Sequence, residues 1–330
     1  MRNETVRVGL AGAGWVTRYH LDAWATQMSR ATVVAIADPR LEAARTRAAS
    51  YGIPASYQSV EEMLQHQQLD VLDIAAPREL HVPLCRMAAR KNLAILCQKP
   101  LAPTLAQAEA LVLELTGRAR LMVHENWRFR PHYRQIHSWI RDGLVGNVRS
   151  AVLTVLTSGL LPDASGALPA LVRQPMLAGL ERMLLMEVLI HHVDTLRFLL
   201  GPLTLEGAQL GKSCQEIRGE DRATLLLRGQ DGAAISLVGD FMARGYPPEQ
   251  ADRLEILGTK GSILLREDQL HLIGDQHQSL TLDLAANYAA SYRDAIAHFL
   301  DRLQDSRPFE TAPEDNLETL RIIEAAYRLH

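Results

Sequence analysis

The stretch Val6-Arg-Val-Gly-Leu-Ala-Gly-Ala-Gly14-Trp-Val-Thr17 decides the fold. Val6–Ala11 is a short apolar run that reads as a buried strand. It passes directly into Gly12-Ala13-Gly14 and then into a helix-like stretch from Trp15 to about Met28. A strand, a glycine turn and a helix in that order are what a dinucleotide needs. Gly12 permits the tight turn, and Gly14 lets backbone approach the pyrophosphate, which the helix N-terminus stabilises. Thr17 stands in the third position of this pattern, where glycine or alanine is usual. A bare Gly-x-Gly is weak evidence in a chain with 21 glycines. Asp38, closing a second strand at Thr32–Ala37, strengthens it, because a carboxylate there accepts hydrogen bonds from the adenosine ribose hydroxyls. The same carboxylate repels a 2′-phosphate and so favours NAD over NADP. Arg40 argues the other way, since a nearby arginine can pair with that phosphate.

Working outward, the first third of the chain alternates strands and helices. A helix is expected over Leu41 to about Ser50, then strands at Val71–Ala75, Leu93–Cys97 and Leu121–His124, with a helix near His81–Arg90. Two capping boxes, Ser59-Val-Glu-Glu62 and Thr104-Leu-Ala-Gln107, mark helix starts. This rhythm predicts an α/β Rossmann domain over residues 1–125, a doubly wound parallel sheet with right-handed crossovers. The rhythm then changes. A helix around His132–Arg141 leads to a long strand at Val148–Thr157 and a Pro/Gly-rich stretch, Gly159–Gly179. A long amphipathic helix over about Arg182–Leu200 follows and stops at Gly201-Pro202. Six further short strands between Arg222 and Leu284 and two closing helices, Tyr288–Gln304 and Pro313–Leu329, predict an α+β domain over 126–330 with an open, mostly antiparallel sheet.

Composition narrows the class. With 330 residues, 47% hydrophobic and 22% charged, the chain is ordinary globular protein of two-domain length. A net charge of −3 with dispersed Lys and Arg argues against nucleic acid or an anionic membrane as partner. Cys85, Cys97 and Cys214 are odd in number and lack metal-type spacing, which indicates a reducing compartment. No apolar run spans a bilayer, and the N-terminus lacks a signal-peptide core, so a cytoplasmic location is expected.

Two constellations carry chemistry. Leu96-Cys-Gln-Lys-Pro100 ends a strand of the first sheet, where side chains face the ligand crevice. Taken alone, Lys99 reads equally well as a solvated lysine before a proline. Met186-Glu-Val-Leu-Ile-His-His-Val-Asp194 puts Glu187, His191 and Asp194 on one helix face, at i, i+4 and i+7. A carboxylate one turn before a histidine can orient its ring and support the imidazolium. A polar brace on a buried helix is the plainer reading. A metal site is disfavoured, since His191 and His192 are adjacent and splay about 100° apart on a helix.

Together these residues resemble the glucose-fructose oxidoreductase/inositol dehydrogenase (Gfo/Idh/MocA) family over nearly the whole chain. The matching stretches are Val8–Gly14 with His20, Val34-Ala-Ile-Ala-Asp38, Ala76-Pro77 with His81, Gln98-Lys99-Pro100, Asn126-Trp-Arg-Phe-Arg-Pro131, Gly143-Leu-Val-Gly146, the Glu187–Asp194 helix and Leu257-Gly-Thr-Lys-Gly-Ser262. The resemblance implies hydride transfer between a nicotinamide and a CH–OH carbon of a sugar, polyol or sugar acid. It also implies a homodimer or homotetramer formed through the C-terminal sheet. Lys99 takes the place of the lysine in the family's Glu-Lys-Pro, His191 that of its histidine, and Glu187 that of an aspartate one turn earlier. His191 is then the general base and Lys99 a hydrogen-bond donor to the same oxygen. The implied cofactor set is Gly12, Gly14, Trp15, Val16, Asp38, Arg40, Ala76, Pro77, His81, Gln98 and Lys99. Substrate ligands are expected among Lys99, His124, Asn126, Arg128, His191 and His192, and Arg78 lies on a loop toward the same pocket. Two departures stand out: Gln98 replaces the family's glutamate and removes a charge beside Lys99, and Glu187 is one methylene longer than aspartate. The resemblance further suggests a cis Lys99-Pro100 bond. Two other readings keep the fold: bound NAD used catalytically in an isomerisation, elimination or glycoside cleavage, or a non-catalytic NAD-responsive regulator.

Overall fold

Six strands pair in parallel as β3-β2-β1-β4-β5-β6 in the computed structural model, which describes residues 5–249 and 251–329. They are β1 (Val6–Ala11), β2 (Ala31–Ala37), β3 (Ala55–Tyr57), β4 (Val71–Ile74), β5 (Ala94–Gln98) and β6 (Leu121–His124). The first four residues of the amino-terminal stretch read for a targeting signal lie outside the described residues. All four residues of β4 are buried, as expected of a strand covered on both faces. The order reverses beside β1, so the carboxyl ends of β1 and β4 flank the point where a ligand crevice opens. Both capping boxes form at their first residue: Ser59 Oγ accepts the Glu62 N–H at 3.1 Å and Thr104 Oγ1 the Gln107 N–H at 3.3 Å.

The chain divides into two compact units. The first runs to Phe129 and adds Tyr288–Glu318; the second takes Arg130–Asn287 and the chain from Thr319 on. The returning segment is integral to the first unit's core. Tyr292, Ile296, Phe299 and Phe309 pack with Val8, Trp24, Leu96 and Met122, and Thr311 bonds to both backbone groups of Val123, at 2.9 and 2.6 Å. That pairing covers the β6 edge, which otherwise presents open backbone groups.

In the second unit eight strands form one sheet in the order β14-β13-β12-β11-β7-β10-β9-β8. They are β7 (Val148–Leu156), β8 (Leu203–Gly211), β9 (Arg222–Gly229), β10 (Ala234–Asp240), β11 (Asp252–Gly258), β12 (Gly261–Arg266), β13 (Gln269–Gly274) and β14 (Gln278–Thr281). Every pair is antiparallel except β7 with β10. One face is the core: Ala151, Leu153 and Val155 of β7 and Leu225 and Leu227 of β9 are buried. The other face is open. The Pro/Gly-rich stretch holds short helical turns at Pro169–Arg173 and Pro175–Gly179.

The long helix expected from Arg182 is not one α-helix. Leu184–Leu189 is a π-helix, and the α-helix runs from Ile190 to Leu200, ending at Gly201 with φ +79°. The buried Glu220 carboxylate holds the start of this segment, accepting N–H bonds from Leu185 at 2.9 Å and Met183 at 3.3 Å and the Tyr327 hydroxyl at 2.6 Å. Wide turns of this kind are concentrated at functional sites, and this one carries Glu187. Among the described residues no helix is long and apolar enough to cross a membrane.

Candidate active site

In the first unit a cleft of about 600 Å³ opens at the carboxyl ends of β1, β2 and β4. Gly12, Gly14, Asp38, Arg40, Ala76 and Pro77 all line it. The two glycines serve different ends. Gly12 has φ +108°, and a Cβ there would lie 2.4 Å from the Ala75 carbonyl oxygen, so the fold itself requires it. A Cβ at Gly14 meets no protein atom within 4 Å. Packing therefore does not demand glycine at 14, and the space in front of it suits a close-lying pyrophosphate. Thr17 explains its departure from the pattern: its buried hydroxyl donates to the Gly14 carbonyl at 2.7 Å and pins the loop to the first turn of the helix.

Asp38 is buried and preorganised. One carboxylate oxygen accepts the Ala13 N–H at 2.8 Å, and the other accepts the Arg40 N–H at 2.9 Å with the Arg40 Nε 3.5 Å away. The carboxylate thus ties the glycine loop to the end of β2 and still lines the cleft. The glycine cradle and the poised acid fit NAD, which when bound supplies the hydride acceptor or donor. Trp15 is partly exposed, with the Arg18 guanidinium 4.9 Å from its ring centre. Val16 caps the helix Thr17–Ala25 and packs against the core.

His81, expected at the pocket, is buried and bridges two carbonyls, with Nδ1 2.8 Å from the Pro100 oxygen and Nε2 2.9 Å from that of Ala76. Arg78 is paired with Glu79 at 3.4 Å. The Lys99-Pro100 bond is cis. Lys99 follows the last residue of β5, and its N–H donates to the Gln98 Oε1 at 3.1 Å. Gln98, His20 and His124 form one buried group, with the two imidazoles stacked at 4.4 Å. Asn126 and Arg128 are engaged inside the first unit. The Asn126 amide donates to Ser291 at 2.7 Å; Arg128 pairs with Asp315 and reaches the Glu310 carbonyl at 3.3 Å. Trp127 and Phe129 are core residues.

The second unit carries Glu187 on the π-turn and His191 and His192 on the first turn of the α-helix. The wide turn replaces the α-turn on which the shared face of Glu187 and His191 was reckoned. Asp194 turns to Thr319, 3.2 Å away, and to Arg197. His191 is 7% exposed, and its carbonyl accepts the Thr195 hydroxyl at 2.8 Å. His192 is fully buried and meets Asp252 at 2.8 Å. Asp252 also accepts the Tyr133 hydroxyl at 2.7 Å and lies 3.4 Å from the Arg130 guanidinium. Burial alone would raise the Asp252 carboxyl, but His192, Arg130 and the Tyr133 hydroxyl outweigh it and hold the group well below the carboxylate range. Tyr133 is pushed the opposite way by burial and the facing carboxylate. His132 is lowered to about 4 by burial and by Arg130. Sequence reasoning missed this cluster, because Asp252 lies 60 residues beyond His192.

The comparisons with known proteins agree with this architecture. The family description "Oxidoreductase family, NAD-binding Rossmann fold" matches residues 6–125, and "Oxidoreductase family, C-terminal alpha/beta domain" matches 179–330. The chain is 32% identical over 337 residues to a D-apiose dehydrogenase of Paraburkholderia graminis, covering 96% of this chain and 86% of that one. It is 26% identical over 336 residues to an inositol 2-dehydrogenase of Rhizobium meliloti, covering 98% and 96%. Among solved structures, an oxidoreductase from Agrobacterium radiobacter in complex with NAD+, L-tartaric acid and magnesium superposes with a TM-score of 0.91 at 26% identity, covering 99% and 96%. The cleft, its cradle and both domain matches make this chain an NAD-binding oxidoreductase of the Gfo/Idh/MocA family.

Proposed function

We propose that the protein is an NAD-dependent dehydrogenase that oxidises a secondary or hemiacetal hydroxyl of a sugar, polyol or sugar acid. The observation that carries this reading is the 32% identity to a D-apiose dehydrogenase along 96% of the chain. His191 accepts the hydroxyl proton as the carbon gives up hydride, and Lys99 donates a hydrogen bond to the same oxygen. Glu187 supports the imidazolium electrostatically. The test is an NAD+-reduction screen with D-apiose, myo-inositol, other aldoses and aldonates, followed at the NADH absorbance. Stoichiometric NADH from at least one is expected; substrate conversion without net NADH would overturn it.

Preference for NAD over NADP is supported by the Asp38 carboxylate, which lines the cleft and would repel a 2′-phosphate. Asp38→Ala should weaken NAD binding by about 1.5–3 kcal/mol, roughly ten- to a hundredfold, with a smaller loss for NADP. Calorimetric titration of both cofactors checks this, and tighter NADP binding by the wild type refutes it.

The protein self-associates through the open face of the second unit's sheet. Val152, Leu226, Leu257 and Ile273 are 40–52% exposed, and the pairing registers put them on the same face across β7, β9, β11 and β13. An exposed apolar patch of this kind favours burial against another copy. Val152→Arg should leave the fold intact, since the new side chain sits opposite Glu255. The variant should sediment as a single chain; an unchanged oligomer would count against this interface.

A further inference from the structure

In the buried group behind Lys99, hydrogen-bond direction places the His20 proton. The Lys99 backbone N–H can only donate, and it meets one end of the Gln98 amide at 3.1 Å, so that end is the carbonyl oxygen. The other end is therefore the NH₂, which can only donate. It lies 2.9 Å from His20 Nε2, which therefore presents its lone pair, and 3.4 Å from His124 Nδ1. His20 carries its proton on Nδ1, 2.9 Å from Asp73, whose carboxylate also accepts the Trp24 indole N–H at 2.7 Å. His20 and Asp73 are fully buried, and Gln98 is 7% exposed. The titratable groups facing His20 are Asp73 on β4, His124 on β6 and Tyr292 on the helix Leu284–Asp305.

We propose that Gln98 is a positioning residue that holds the Lys99 backbone while locking His20 as a neutral Nδ1–H imidazole. A glutamate in its place, as the family pattern has, offers only acceptors to His20 Nε2 and cannot complete this arrangement without one more proton. A carboxylate at this position would make the arrangement depend on proton uptake, whereas the Gln98 amide does not. The link to catalysis rests on the proposed role of Lys99. The test does not, so its failure and that of the Lys99 assignment are separable.

The experiment uses the full chain labelled with ¹⁵N-histidine, wild type against Gln98→Glu, with His20→Gln to identify the resonances. In the wild type, His20 should show a protonated Nδ1 and an unprotonated Nε2. In Gln98→Glu, one extra proton should enter the folded set. His20 Nε2 should then become protonated or take a hydrogen bond from the protonated carboxyl that the substitution introduces. Native Gln98→Glu then binds one proton more than its unfolded chain above pH 7. Its folding equilibrium should therefore fall about tenfold per pH unit relative to wild type. Should His20→Gln fail to fold, this stability slope still decides the matter. A protonated Nε2 in the wild type, or parallel stability curves for the two proteins, would overturn the proposal.

Discussion

Lys99→Ala and His191→Ala should each keep NAD binding and lose turnover by roughly 10²–10⁴-fold, the range expected when a positioned proton-transfer group is removed. The separation of binding from turnover follows from placement. The cleft is lined by the glycine loop, Asp38 and the Ala75-Ala76-Pro77 segment, and its lining includes neither Lys99 nor His191. Lys99 is held by its backbone N–H, so truncating its side chain leaves the strand end in place. His191 is buried, so Ala removes packing as well as chemistry. His191→Asn is the control, filling most of the space without a usable base. The effect should fall on kcat rather than on KM, because the interactions strengthen as charge develops on the substrate oxygen. Near-normal turnover in both variants would remove them from the mechanism.

Asp252→Ala should be strongly destabilising, costing about 3–5 kcal/mol, as breaking a buried pair does. It removes an acceptor from a buried hydroxyl on Tyr133 and from a buried imidazole on His192, and it takes away a carboxylate 3.4 Å from the Arg130 guanidinium. Against a total stability of roughly 5–15 kcal/mol, that is a large fraction. Urea unfolding of the variant should show it as a lower midpoint, and Asp252→Asn should recover part of the loss by restoring an acceptor for Tyr133. A midpoint within error of wild type would mean that the cluster does not stabilise the fold. The pH dependence has a definite sign. Because the folded carboxyl is depressed, its contribution is present above the unfolded carboxylate pKa and is lost as pH falls below it. His132 acts in a higher window. Its folded pKa of about 4 lies below the unfolded value near 6.5, so the unfolded chain takes up the proton first. Stability should then decline between pH 6.5 and 4, by on the order of 3 kcal/mol. His132→Phe should flatten that part of the curve, and an unchanged curve would contradict the assignment.

Legibility in the sequence followed the range of the physics involved. β1, Gly12, Gly14 and Asp38 form a local pattern within 33 residues, and all appear where the pattern put them, as do both helix caps. The edge strands β3 and β8 went unseen. β3 has three residues, and β8 has a register shift between Leu205 and Gly207, which breaks the alternation that marks a strand. The π-turn was hidden because apolar spacing over Leu184–Leu189 reads equally as α, and the carboxylate that holds its first N–H groups comes from Glu220. Residue type suggested open polar groups at Asn126 and Arg128, whereas Ser291 and Asp315, more than 150 residues away, engage them. The proton arrangement around Gln98 likewise needed Asp73 and His20 side by side, which spacing along the chain does not reveal.

The return of Tyr288–Glu318 to the first unit sets an order for synthesis on the ribosome. The nucleotide-binding sheet emerges long before the aromatic plug of Tyr292, Phe299 and Phe309 that closes its core. Until then, Trp24, Leu96 and Met122 lack their cover, and the β6 edge lacks Thr311. The second unit's sheet can be complete while the first is still waiting. Such a nascent chain carries exposed apolar surface and an unpaired strand edge, the features that invite aggregation and chaperone capture. A stop codon shortly before residue 288 would therefore damage the amino-terminal half of the protein at least as much as the carboxyl-terminal half.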